Sequence, residues 1–155
     1  MKNLRRVIAI VFTLLIVLPI LGLLMMNWLS QAPDNLGVKE GRLTDCPGSP
    51  NCVCTQASEP SHQMEPIPFT GDLTSVRERL KTAIGSIPRS KITEETDNYI
   101  RAEFTTALMR YVDDVELLID EDEKVVHFRS ASRIGHSDLG ANRKRMEQLA
   151  AAFGS

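Results

Sequence analysis

The sequence has no excess of positive charge: 18 lysines and arginines face 20 aspartates and glutamates, giving a formal net charge of −2. The part beyond its N-terminal apolar run is more acidic still, because Lys2, Arg5 and Arg6 precede that run. Such a surface does not displace counterions from a phosphate backbone, so general nucleic-acid binding is not expected. Internal repeats and low-complexity tracts are also missing, which leaves one ordinary domain of about 120 residues after the apolar run. No G-x-S-x-G nucleophile elbow occurs. The three cysteines lack the paired C-x2-4-C spacing of a zinc knuckle, and none follows the apolar run closely enough for a lipoprotein.

Charge is absent altogether from Val7 to Leu29. At about 1.5 Å per residue this segment spans a hydrocarbon layer of roughly 30 Å as one transmembrane helix. Pro19 and Gly22 are tolerated there because the backbone has no competing water, and Trp28 sits where an interfacial aromatic belongs. The three cations before the run place residues 1–6 in the cytoplasm by the positive-inside rule. The expected location is therefore a bacterial cytoplasmic (inner) membrane, crossed once, with the C-terminal part on the periplasmic or extracellular side. A cleaved signal peptide is the competing reading, with Ser30-Gln31-Ala32 imitating a cleavage site. The apolar stretch is long for that, and Pro33 is a poor neighbour for it.

Residues 30–70 are punctuated by Pro33, Gly37, Gly41, Pro47, Gly48, Pro50, Pro60, Pro66 and Pro68, and read as a tether and cysteine-containing loop. Residues 71–155 then follow the order α-β-β-β-β-α. Asp72 can cap a helix with Leu73, Val76, Leu80, Ala83, Ile84 and Ile87 on one face, ended by Pro88. Extended runs are expected over 91–96, 99–106, 110–119 and 125–133, with the acidic residues 120–123 turning the last two into a hairpin. A second helix is expected from Ser137 or Asp138 to Phe153, where Gly154 suits its C-terminal cap. The expected class is α+β: a small antiparallel sheet of about four strands with two helices on one face, preceded by one transmembrane helix.

Beyond a membrane the compartment is oxidising, so the cysteines read first as disulfide candidates. Cys46 and Cys52 bracket Pro47-Gly48-Ser49-Pro50-Asn51, which turns readily, and they are the expected pair. Cys54 is left over as a half-buried thiol. A sharper alternative joins Cys46, Cys52, Cys54, His62 and Met64 into a soft-ligand copper or zinc site, but the spacing does not favour it. No metal or other cofactor is expected.

The densest unexplained stretch runs from Arg129 to Arg145. Strand parity puts Asp113 on the face of Val115, Leu117 and Ile119, and Ser130 and Ser132 on the face of Val126 and Phe128, all toward the helices. The opposite face carries Asp114, Glu116, His127, Arg129 and Arg133, where exposed cross-strand pairs contribute little. In the last helix Leu139, Met146, Leu149, Ala150 and Phe153 form the apolar stripe, with Asn142 and Arg143 on it. A buried arginine needs a partner, and Asp113 is the expected one for Arg143. The cluster reads either as a structural network or as a site in which a helix N-terminus near Ser137, with Arg133, Asn142 and Arg143, holds a phosphate or carboxylate.

Catalytic readings stand lower. His136, Ser137 and Asp138 are the residue types of a triad, but sequence neighbours on one turn rarely converge. No catalytic residue is assigned.

Four stretches resemble the domain-of-unknown-function family 1499: Leu36 to Leu43, Cys46 to Val53, Tyr111 to Glu116, and Arg129 through Arg145. The resemblance covers nearly all of the chain beyond the apolar run. It implies an exported or organelle-targeted domain without an established activity, substrate or cofactor. It supports the Cys46–Cys52 pair and the 129–145 stretch as one unit, while Cys54 stands where the family has a small polar residue such as serine.

The functional expectation is a membrane-anchored extracytoplasmic domain, not an enzyme, that binds a small anion, a lipid headgroup or an envelope protein. The lipid bilayer itself is the expected partner of residues 7–29. The ligand-binding candidates are Asp113, Ser130, Ser132, Arg133, Ser137, Asn142 and Arg143. The alternatives are a hydrolase using Ser132 or Ser137, a thiol-redox enzyme using Cys54 near Arg42, and a purely structural envelope protein.

Overall fold

A computed structural model describes residues 2–154. Two units divide the chain at residues 31 and 32. The first holds α1 (Lys2–Leu29), whose sequence around Arg5–Gly22 is long and apolar enough to cross a membrane. Its described apolar side chains, among them Ile8, Phe12 and Leu15, are exposed. The side chain of Trp28 lies outside the described set.

The second unit has a core of its own, drawn entirely from residues 43 onward. Short strands come first: β1 (Val38–Lys39) pairs with β2 (Arg42–Leu43), and β3 (Cys52–Cys54) and β4 (Ile67–Pro68) follow. Next come α2 (Leu73–Ser86), β5 (Ser90–Glu95), β6 (Tyr99–Thr105), β7 (Val112–Asp120), β8 (Val125–Ser132) and α3 (Ala141–Gly154). The Asp72 carboxylate accepts from Ser75 N at 3.0 Å, capping α2 as its sequence implies.

The class is α+β with an antiparallel sheet, but the sheet has six strands rather than about four. Its order is β3-β8-β7-β6-β5, with β4 also paired to β8. The extra strands are two or three residues long, too short for alternation to register in the sequence. They form because β8 has a free edge to satisfy, and the punctuated segment supplies partners for it.

Helix α2 packs its Val76, Leu80, Ala83 and Ile84 against Ile100, Ala102, Val115, Leu117 and Phe128 of the sheet. Helix α3 adds Met146, Leu149 and Phe153. Both helices therefore cover one face, the parity-assigned one. The second helix begins at Ala141, not Ser137 or Asp138, because Leu139 (φ 54°) and Gly140 (φ 80°) are left-handed and cannot be helical. Leu139 is consequently 96% exposed and does not belong to the apolar stripe.

The opposite sheet face is the larger departure from expectation. Asp114, Glu116 and Arg129 are buried, not solvated. Leu43 of β2 packs with Tyr99 and Leu118 over that face, and Gly37 N donates to Glu116 Oε1 at 2.6 Å. The segment read as a tether thus works in part as a cover.

Cys46 and Cys52 are joined, with their Cα atoms 5.7 Å apart, as expected. Replacing both with serine should lower the unfolding free energy of residues 32–155 by about 2–3 kcal/mol in urea titration. An unchanged midpoint would mean that the loop is held without the bridge.

Candidate functional site

Two polar systems lie on the two faces of β7 and β8. On the helix side Asn142 is fully buried. Its Oδ1 accepts from Ser130 Oγ (2.6 Å) and Arg145 Nη1 (2.6 Å). Its Nδ2 reaches Asn51 O (2.9 Å), Ser132 Oγ (3.0 Å) and Asp138 Oδ2 (2.8 Å). Arg145 Nη2 in turn bonds Asp113 Oδ2 at 2.5 Å. Asn51 extends the system into the disulfide loop: its carbonyl accepts from Ser132 N (3.0 Å), and its own amide donates to Gly135 O (2.7 Å).

Asp113, Ser130, Ser132 and Asn142 are therefore brought together. The arginine that neutralises Asp113 is Arg145, not the expected Arg143. A helix face drawn through Leu139 passes through Arg143, but Leu139 is outside the helix, and the buried stripe is Asn142, Met146, Leu149 and Phe153, with Arg145 beside it at i+3 from Asn142.

The α3 N-terminus is also occupied. Asp138 accepts from Gly140 N (3.0 Å) and Asn142 N (2.7 Å) through its carboxylate, and from Ala141 N (3.1 Å) through its carbonyl. An internal carboxylate thus stands where an external anion would bind. A hollow of about 190 Å³ does open beside Asp113, Ser132, Ser137 and Asp138, but the carboxylates on its wall do not suit an anion.

On the other face Cys54, Arg129, Glu116, Arg101 and Glu94 stand in register across five strands. Arg129 Nη1 donates to Glu116 Oε2 at 3.0 Å, and Tyr99 Oη donates to Glu116 Oε1 at 2.9 Å. Arg129 Nε is buried with no hydrogen-bond partner. Arg133, placed among the ligand candidates, belongs to this face: it forks onto Asp114 (2.7 Å from both Nε and Nη2) and reaches Glu103 (2.5 Å). That pairing raises its pKa, mainly through the hydrogen bond to Asp114. Burial, reinforced by the Glu116 charge, pushes the Tyr99 hydroxyl well above the ordinary tyrosine range.

The catalytic alternatives are not assembled among the described residues. Ser137 Oγ accepts from Leu139 N (3.3 Å) and Ser132 Oγ from Asn142 Nδ2, and neither hydroxyl meets an imidazole. Cys54 is fully buried, so burial raises its thiol pKa and keeps the sulfur protonated at neutral pH. Two thiols of the soft-ligand alternative are consumed by the disulfide, and His62 is buried with Nδ1 on Cys52 O at 2.8 Å.

Arg143 lies elsewhere. Its guanidinium donates to the carbonyls of Ser61 and Gln63 at 3.2–3.3 Å and has no carboxylate partner among the described residues. It lines a hollow of about 410 Å³ with Thr55, Gln63, Met64, Glu65 and Pro66. That hollow shares Met64, Glu65 and Pro66 with an apolar groove of about 430 Å³, walled by Ile67, Pro68, Met146, Ala150 and Phe153, with Arg79 at its edge. No periodicity marks this second element, because half of it comes from the irregular segment.

A disulfide loop is thus fastened to the 129–145 stretch on a six-stranded α+β scaffold. The family described as a protein of unknown function, DUF1499, matches residues 42–153, and the chain belongs to it. No curated protein matches the chain.

Arg145→Met should destabilise residues 32–155 by about 3–5 kcal/mol, since it strands Asp113 uncompensated. Arg143→Met should change stability by less than about 0.5 kcal/mol; urea titration of the two variants checks the pair. Tyr99 carries a pH signature. Its folded pKa is raised, so its contribution is complete below the ordinary tyrosine pKa of about 10 and is lost as pH rises above it. Tyr99→Phe should therefore lower stability by about 1 kcal/mol at pH 7, with the gap to the parent narrowing above about pH 10.

Proposed function

We propose that the chain is a membrane-anchored extracytoplasmic binding domain whose ligand is a single-chain anionic lipid. The apolar tail lies in the groove of Met64, Pro68, Met146, Ala150 and Phe153, and the head group meets Arg143. The observation that carries the reading is this juxtaposition: an apolar groove shares the wall of Met64, Glu65 and Pro66 with a hollow lined by a guanidinium that no carboxylate neutralises among the described residues. Its size falls within the usual range for small-molecule sites. Methionines on its wall adapt to a flexible chain, and a guanidinium suits a carboxylate geometrically. Glu65 and Glu147 line the hollows as well, which disfavours a doubly charged head and favours a carboxylate.

The anchor supports the same reading. An apolar helix whose first turns carry Lys2, Arg5 and Arg6 tethers the domain beside lipid, with the N-terminus inside. The Cys46–Cys52 bridge fits the oxidising side. Because residues 32–155 form a compact unit with a core of their own, they serve as the test material.

Palmitate titrated into residues 32–155 should displace a fluorescent apolar probe at micromolar concentration. Arg143→Met should weaken palmitate by about tenfold, equivalent to about 1.4 kcal/mol, and leave hexadecanol unaffected. Ala150→Trp, which fills the groove, should abolish both. Palmitate binding that survives Ala150→Trp would contradict the proposal.

A further inference from the structure

The β7–β8 turn carries a second candidate site, which shares Thr55 with the hollow beside Arg143. Asp120 closes β7, Glu123 sits in the turn, and His127 lies on β8 on the same face as Asp120. Each offers a donor atom within 4.8 Å of the others. We propose that Asp120, Glu123 and His127 bind a divalent transition cation of the zinc type.

The imidazole separates this group from an ordinary solvated acidic turn. His127 retains only 12% side-chain exposure, and its Nδ1 lies 3.1 Å from Thr55 Oγ1, a residue of a distant loop. The contact at Nδ1 fixes the ring and turns Nε2 toward Glu123 Oε2, 3.7 Å away, and in the Nδ1–H tautomer that nitrogen can take a metal. This orientation of a ligating histidine by a second group is the usual support for a metal-bound imidazole.

The carboxylates are prepared in a similar way. Asp120 Oδ1 accepts from Asp122 N and Glu123 N, both at 2.9 Å, which fixes the group and leaves Oδ2 for a ligand. Lys124, the one cation of the turn, reaches over the Phe69 ring, 5.5 Å from its centroid, and Arg129 is engaged by Glu116. Around zinc at about 2.1 Å, tetrahedral ligands stand about 3.4 Å apart. The exposed Glu123 closes the remaining distance by side-chain rotation. One imidazole and two carboxylates give three ligands, with water as the fourth, and this donor set suits zinc, manganese or cobalt better than copper(I).

The test is calorimetric titration of zinc chloride into the untagged full chain in detergent micelles. One saturable site is expected. Glu123→Gln, which alters an exposed side chain and leaves folding intact, should weaken zinc by about tenfold or more. His127→Gln should abolish binding, and Thr55→Val should weaken it by about 10–100-fold, the usual cost of removing a ligand's support. His136→Gln, in a different loop, should bind as the parent does. Cobalt(II) should give visible absorption of a tetrahedral site in the parent and lose it in His127→Gln. Absence of saturable zinc binding, or binding unchanged in Glu123→Gln and His127→Gln, would overturn the proposal.

Discussion

The buried amide of Asn142 is the interaction on which the arrangement of the domain depends. A primary amide inside a protein must satisfy an acceptor and two donors at once. Here those demands recruit Ser130 and Ser132 from β8, Arg145 from the next turn of α3, Asp138 from the preceding loop and Asn51 from the disulfide loop. Elements far apart in sequence are held in one geometry by a single side chain. Apolar packing of Met146, Leu149 and Phe153 supplies affinity between α3 and the sheet. It leaves the helix phase and the position of residues 46–52 open, and the amide fixes both. In some proteins a single buried polar group specifies an arrangement more than it stabilises it.

The same division explains why the ligand candidates moved. The 129–145 stretch contains more polar groups than a strand-to-helix junction needs, which singles it out in the sequence. Once folded, these groups are spent on one another: Arg145 on Asp113, Arg133 on Asp114, and Asp138 on the helix N-terminus. Arg143, two positions from Arg145, is turned away from that network toward the irregular segment. A change of two residues along a helix is about 200° of rotation, enough to carry one arginine into the network and the other to an open hollow.

What was legible in the sequence follows from periodicity. The inward parity of Asp113, Ser130 and Ser132, the presence of β6 to β8 with ends within two residues of those expected, the Asp72 cap and the Cys46–Cys52 pair each rest on a local rule, and each appears in the structure. The two- and three-residue strands and the burial of Glu116 and Arg129 were not legible. Both depend on residues 37–68, whose prolines and glycines suppress any period, returning to cover the sheet. The groove shared by Met64 and Met146 was hidden for the same reason. It is made between an element with a pattern and one without.

Hydrogen exchange of residues 32–155 carrying Asn142→Ala tests the central claim most directly. If the amide couples the disulfide loop to α3, amides of residues 51–54 and 142–146 should lose protection together, while those of β5 and β6 keep theirs. Loss confined to α3, with residues 51–54 as protected as in the parent, would contradict the account.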